Sequence, residues 1–321
     1  MDRAPSPPAR RPVPRRVSLA LAAAALAGLA ACAQPPGPAA ELPAEATVAD
    51  PVSGRVLDAG ALTERARAAD LVVVGEVHDD PVHQQVQAAL ARALDVRALA
   101  LEMVPRTAEP ALAELRAAQA PDDAMRAAAA WDDYAPWQGV IEAVPRAEVA
   151  GGGVAREDLR AAMTGGVAAA FGPEAPRYGL DAPLPEAEQA ALEAELDASH
   201  CGALPGEMLA PMVEAQRLRD ARFAEALLRA RARAGGAQAM LVTGNGHARR
   251  DRGVPWVLAD AAPELSVLSI LQAEWAADAP GDVAAALAPW RRADGTLPYD
   301  LAVISPAPER EDPCARFRNQ G

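Results

Sequence analysis

The chain has 321 residues, 51% of them apolar, with 31 arginines and no lysine against 44 acids, for a net charge of −13 at pH 7. So acidic a protein repels nucleic-acid phosphates, and no basic stripe with interleaved aromatics relieves it, which excludes nucleic acid as a partner. The length suits one large domain or two small ones.

Arg10, Arg11, Arg15 and Arg16 form a basic start before the apolar run at 17–31 (VSLALAAAALAGLAA), and Cys32 follows. That run is shorter than the ~20 residues a spanning helix needs, so residues 1–31 read as a signal peptide. Leu29-Ala30-Ala31-Cys32 resembles the bacterial lipobox, and Cys32 is expected to carry the lipid that anchors an exported protein in the cell envelope, facing the periplasm. The leader holds five arginines and one aspartate, which leaves the remainder at −17. Two cysteines lie beyond it, Cys201 and Cys314, and in an oxidising compartment they are expected to pair. The stretch 32–51 is rich in proline and alanine without periodicity, and predicts a tether.

From there to residue 314 the pattern predicts one α/β domain, with 315–321 as a tail. Apolar or nearly apolar runs of strand length occur at Leu71–Val74, Ala98–Val104, Ala147–Ala150, Ala239–Thr243 and Leu265–Leu271, with a last strand at Asp300–Ser305. Amphipathic stretches such as Val82–Leu94 and Met212–Ala232 alternate with them. That alternation predicts a largely parallel β-sheet flanked by helices. The long alanine-rich stretches Thr107–Ala130 and Glu186–Arg233 depart from it, and predict a smaller helical subdomain inserted within 107–233.

In open α/β sheets, ligands sit beyond the carboxyl ends of the strands, and the chemistry-bearing residues fall there. LVVVGEVHDDPVH at Leu71–His83 and MLVTGNGHARR at Met240–Arg250 share a pattern: an apolar run, a glycine, and a histidine three residues later. Asp80-Pro81 supplies a helix cap and a first-turn proline, which places His78 on the strand–helix loop and His83 in the first turn facing back toward it. Gly253-Val254-Pro255 opens a helix in the same way after His247. Glu76 ends one buried strand and Glu102 interrupts another, and a buried carboxylate demands a partner. If these strands are neighbours, Glu76, His78, Glu102 and His247 converge on one edge as a ligand set for a transition metal or haem iron. Tyr134, in WDDYAPW, is either a phenolate ligand or packing. Arg219 either meets an anionic group of a ligand, or Glu76, or forms an ordinary ion pair on its helix.

GEVHDDPVHQQ, ALEM, WDDYAPW, GGGVAREDL, SHCG, AQRLRDARF, GNGHARRDRGVPWVL and DPC together, running in order from about Leu71 to Cys314, resemble the ChaN-type haem-binding lipoproteins. The resemblance implies a parallel-sheet domain with a smaller helical one, lipid anchoring, a link to iron acquisition, and haem held in a pocket formed by two protomers, hence a homodimer. His78, His247 and Tyr134 stay open as axial ligands, with His83 and Arg219 as further cofactor contacts. The paired Gly-x-x-His pattern is also similar to a wider group of erythromycin esterases and TIKI/TraB-type metalloproteases. There Glu76, His78, Glu102 and His247 would serve metal-dependent or general-base hydrolysis, with Glu76 and Glu102 catalytic and a divalent transition metal in place of haem.

Overall fold

The run LVVVGE, buried at all six positions, forms strand β3 (Leu71–Glu76) at the middle of the sheet. A strand covered on both faces needs continuous apolar character, and this one has it until its carboxyl end. The computed structural model describes residues 37–119, 124, 127, 135–312 and 314–315. Among them, β3 pairs in parallel with β6 (Ala239–Gly244) on one side and β7 (Val267–Glu274) on the other. Beyond β6 lie β4 (Ala98–Pro105) and β5 (Glu148–Gly153), and beyond β7 lies β8 (Leu301–Ser305), all parallel. Two short antiparallel strands, β1 (Thr47–Ala49) and β2 (Val56–Leu57), close the β8 side, giving the order β2-β1-β8-β7-β3-β6-β4-β5.

Alternating side chains feed two cores. Val72, Val74, Val242 and Ile270 face helices α1 (Ala59–Arg67), α2 (Pro81–Ala93) and, further across, α4 (Ala135–Ala143), meeting Leu62, Leu90 and Ile141. Between α2 and α4 in sequence, α3 (Glu109–Ala117) follows β4. Val73, Leu241 and Leu271 face the opposite side, built from α5 (Arg156–Gly165), α6 (Val167–Phe171), α7 (Glu186–Ser199), α8 (Leu209–Arg233), α9 (Val254–Ala261) and α10 (Val283–Leu287). The caps read from the sequence are present: Asp80 accepts the Val82 and His83 N–H groups and Pro81 opens α2, while Pro255 stands in the first turn of α9.

Several expectations change. The stretch 32–51, expected as a tether, carries Thr47–Ala49 into the sheet opposite β8, and Ala40 and Val48 are buried. Its composition hid a three-residue strand that needs only two apolar side chains. Residues 186–233 form two helices, because Cys201 at φ +61°, Gly202 and Pro205 turn the chain between them. The predicted helix at 107–130 is a helix at Glu109–Ala117 preceded by one 3₁₀ turn, and most of its second half lies outside the described residues. The helical insert within 107–233 is itself interrupted by β5. Strand Leu265–Leu271 is displaced forward to Val267–Glu274. Cys201 and Cys314 are joined by a disulfide across 113 residues, which fixes the C-terminal segment to the α7–α8 turn.

Candidate functional site

Parallel pairing brings the carboxyl ends of β3, β6 and β4 side by side. Glu76, at the end of β3, is 2% exposed, and its carboxylate is fully engaged. Oε1 accepts from Trp137 Nε1 at 2.9 Å and from His78 Nδ1 at 2.8 Å, and Oε2 accepts from Gln87 Nε2 at 2.7 Å. Because an ionised carboxylate only accepts, His78 must carry its proton on Nδ1. Its Nε2 then points toward Glu102 on β4, 4.0 Å from Oε1.

The second loop mirrors the first. His247 Nδ1 donates to Asp220 of α8 at 2.7 Å, and its Nε2 stands 3.8 Å from the same Glu102 Oε1. Glu102 is held by its other oxygen, which accepts from Thr243 Oγ1 at 2.7 Å and from the Gly244 N–H at 2.8 Å. Two imidazoles, each anchored at Nδ1 by its own carboxylate, thus turn Nε2 toward one shared carboxylate. Anchoring of this kind fixes ring orientation in histidines that ligate metals. Gly152 contributes from a distance. A Cβ there would come within 2.7 Å of Phe223 Cδ1. Its absence lets α8 seat against β5, and that seating delivers Asp220 to His247, whose ring Phe223 packs against edge-on.

Charges follow from this geometry. For His78, burial opposes protonation, but the Glu76 hydrogen bond and the neighbouring Glu102 and Asp79 outweigh it and raise the pKa from 6.5 to about 9. His247 is also raised, because Asp220 and Glu102 outweigh its burial. Glu102 is lowered, since the two histidines and the Gly244 and Thr243 donors overcome desolvation. A group whose pKa rises on folding stabilises fully below its unfolded value and loses that contribution as pH climbs through the folded one. His78 in the protein without ligand is therefore expected to titrate near 9, with its share of stability present below pH 6.5 and gone by about pH 9–10. Side-chain NMR of His78 across that range checks this, and a midpoint near 6.5 would refute the pairing with Glu76.

The loops are set by buried polar ties. Asn245 reaches across strands, donating Nδ2 to Gln272 O at 2.7 Å and accepting the Gln272 N–H at 3.1 Å. It lies so close to β3 that a Cβ on Gly75 would stand 2.2 Å from Asn245 Oδ1. Beyond His247, Arg249 donates Nε and Nη2 to the two carboxylate oxygens of Asp251, and Arg252 reaches Glu188 and Glu195 on α7. Arg292 joins Glu188 at 2.7 Å and Asp251 at 3.1 Å, so one ionic network ties the second loop to the helical side.

A cavity of about 440 Å³ opens above these groups, lined by His78, Glu102, Asp220 and His247 below, and by apolar Leu192, Leu196 and Trp290. Its size lies in the range of about 300–1,000 Å³ usual for small-molecule sites. Arg219 also lines it and contacts Gln216 Oε1 at 3.4 Å, not Glu76. His83 does not reach it. That ring is fully buried beneath the first loop, where Nδ1 accepts the Val77 N–H at 3.0 Å, so its expected role as a cofactor contact is corrected to support of the loop. Tyr134 and Cys32 lie outside the described residues. Among the described residues no three His, Cys, Asp or Glu side chains stand at metal-holding geometry.

Sequence reasoning missed Asp220, Trp137 and Gln87 as partners. Asp220 had a signal: Val213, Arg217, Asp220, Ala224 and Leu227 follow the four–three spacing of a buried helix stripe, and an aspartate there needs a partner. Trp137 and Gln87 had none, because only the tertiary fold brings them to Glu76.

The arrangement defines an open α/β sheet that presents a two-histidine pocket at its carboxyl edge. A family model described as "Haem-binding uptake, Tiki superfamily, ChaN" matches residues 62–258, and the chain belongs to that family. The solved structure titled "Cofacial heme binding to ChaN of Campylobacter jejuni" is similar in fold, with a TM-score of 0.61 and 17% identity over 82% of this chain and 97% of that one. The type III effector HopBA1 gives a TM-score of 0.41 and 15% identity over 78% of this chain and 93% of that one. No curated protein matches.

Proposed function

We propose that this is an exported, lipid-anchored protein of the bacterial cell envelope that binds haem in the carboxyl-edge cavity, at the interface of a homodimer, for haem handling or iron acquisition. The observation that carries the reading is the presentation of two imidazole Nε2 atoms to one cavity in a chain of the haem-binding family. The donor set suits haem: imidazole nitrogen for iron, Leu192, Leu196 and Trp290 for a porphyrin face, and Arg219 for a carboxylate. Bound haem would supply iron whose coordination links it to the protein. To ligate, His78 or His247 surrenders its Nε2 proton while Glu76 or Asp220 keeps the ring turned by Nδ1.

Hemin titrated into the purified protein without its leader is expected to give a saturable Soret band. His78→Ala and His247→Ala are expected to weaken binding by at least about tenfold in whichever ring is the ligand. If neither substitution changes affinity or band position, the pocket assignment fails.

Arg219 makes no ion pair among the described residues, whereas Arg252 in the same cavity pairs with Glu188, Glu195 and Asp251. Arg219→Gln is therefore expected to weaken hemin by about tenfold, the scale of one hydrogen bond to a charged group. The dimethyl ester, which has no propionate charge, should bind both proteins alike. Equal losses for both ligands would remove the propionate role.

Glu102 supports a second reading, metal-dependent or general-base hydrolysis by an esterase or peptidase, because its Oε1 stands between two imidazoles. Ester or peptide turnover with an added divalent metal, together with no saturable hemin response, would establish that reading and displace the first.

A further inference from the structure

The chain is bound to the body from Pro38 onward. Arg67 donates Nη2 to the Pro38 carbonyl at 2.5 Å and to the Ala93 carbonyl at 3.0 Å. Arg67 and Ala93 are the last residues of α1 and α2. Both helices run back against the strands, so these ends lie at the amino edge of the sheet, shortly before β3 begins at Leu71 and β4 at Ala98. From Pro38 the chain climbs toward the other edge. Ala40, 4% exposed, gives its N–H to Thr63 Oγ1 at 2.9 Å, and Thr47 then pairs with Ile304 near the carboxyl end of β8. Pro38 therefore marks where the chain leaves the body, at the edge opposite the pocket.

Regular geometry sets the heights. At about 3.3 Å per residue, β3 carries Glu76 about 17 Å from Leu71. α8 spans the whole distance and more. Its Arg231 pairs with Asp70 at the amino edge at 3.4 Å, Asp220 meets His247 at the pocket half-way along, and the helix runs on to Leu209. At 1.5 Å per residue, Leu209 stands about 33 Å along the axis from Arg231. Only five residues separate Pro38 from Cys32. Fully extended, that link reaches about 20 Å. A bilayer holding Cys32 is thus within reach of the amino edge, and the pocket end cannot be turned down onto it.

We propose that the amino edge of the sheet is the membrane-facing surface, lying against the lipid headgroups of the leaflet that holds Cys32, and that the pocket opens away from the bilayer. This builds on the lipid anchor proposed above and adds the direction in which the anchored protein faces. A ligand then reaches the pocket from the aqueous side, not by partition out of the bilayer. Two protomers anchored in one leaflet meet side by side, because stacking their carboxyl edges face to face would send the two short links in opposite directions.

The test uses the full-length lipidated protein in nanodiscs of phosphatidylethanolamine and phosphatidylglycerol that carry an acceptor dye on their headgroups. A donor dye is placed at Arg97→Cys on the amino edge or at Glu207→Cys in the turn before α8, both exposed positions. Energy transfer is expected to be several-fold stronger from position 97 than from position 207. Equal transfer, or stronger transfer from 207, would overturn the orientation. The mass of the Cys32 peptide reads the anchor separately: if it carries no acyl chains, the anchor reading fails and the orientation with it. A spacer of about 30 glycine and serine residues inserted after Gly37 adds a reach of about 30 Å and should erase the difference between the two positions. A difference that survives the spacer would overturn the short link as its cause.

Discussion

Gly75→Ala is expected to destabilise the fold by about 3–6 kcal/mol, from overpacking of about 1–3 kcal/mol plus the loss of well-made buried hydrogen bonds at about 1–3 kcal/mol each. A Cβ at position 75 would stand 2.2 Å from Asn245 Oδ1 and 3.1 Å from its Cα, so the backbone as well as the amide is in the way. The amide cannot swing aside cheaply, because it holds both the Gln272 carbonyl and the Gln272 N–H. At a few degrees per kcal/mol for a chain of this size, Tm should fall by about 10 °C. Urea melts of Gly75→Ala, Asn245→Ala and the double variant give the decisive comparison. The two losses should not add, since removing the Asn245 amide relieves most of the clash. Additive losses would mean that the contact between these two residues is not what demands glycine.

The second large effect concerns the Cys201–Cys314 bridge. It closes a loop of 113 residues, and the chain-entropy model assigns such a loop about 4–5 kcal/mol through restriction of the unfolded chain. Cys201→Ser/Cys314→Ser is expected to lose most of that, with the denaturant midpoint of the wild type falling to the same value under reductant. A wild type whose midpoint ignores reductant would show that the bridge does not form in solution. The bridge is backed by a second tie from the same segment, since Arg310 meets Glu274 and Asp79 at 2.7 Å. The C-terminal segment is thus fastened both to the turn between α7 and α8 and to the residue beside His78.

Much of this was legible in the sequence because the signals were local. β3, β6 and the start of β4 are uninterrupted apolar runs, and Asp80-Pro81 and Gly253-Val254-Pro255 mark helix starts whatever surrounds them. The convergence of Glu76, His78, Glu102 and His247 followed from placing three strand ends together. Where the sequence misled, the deciding contacts were distant. His83 looks like a site residue because it sits eight positions from Gly75, yet helix periodicity turns it under the loop into the layer below. Glu76 looks like a reacting carboxylate, but Trp137 and Gln87, far along the chain or on another element, consume its acceptors. The proline-rich entry stretch concealed β1 because two buried valine and alanine side chains leave no periodicity to detect.

The position of β3 and β6 at the middle of the strand order has a consequence for how the protein comes apart. β2 and β5 are the outermost strands, so fluctuations that peel the sheet begin there and must displace β8 with β7, or β4, before they reach Gly75 and Gly244. Amide hydrogens of β3 and β6 should then exchange with solvent only through the costliest opening the fold undergoes, while those of β2 exchange through fraying. The two loops that carry the histidines hang from the part of the molecule that lets go last, so a protein frayed at its margins keeps its pocket.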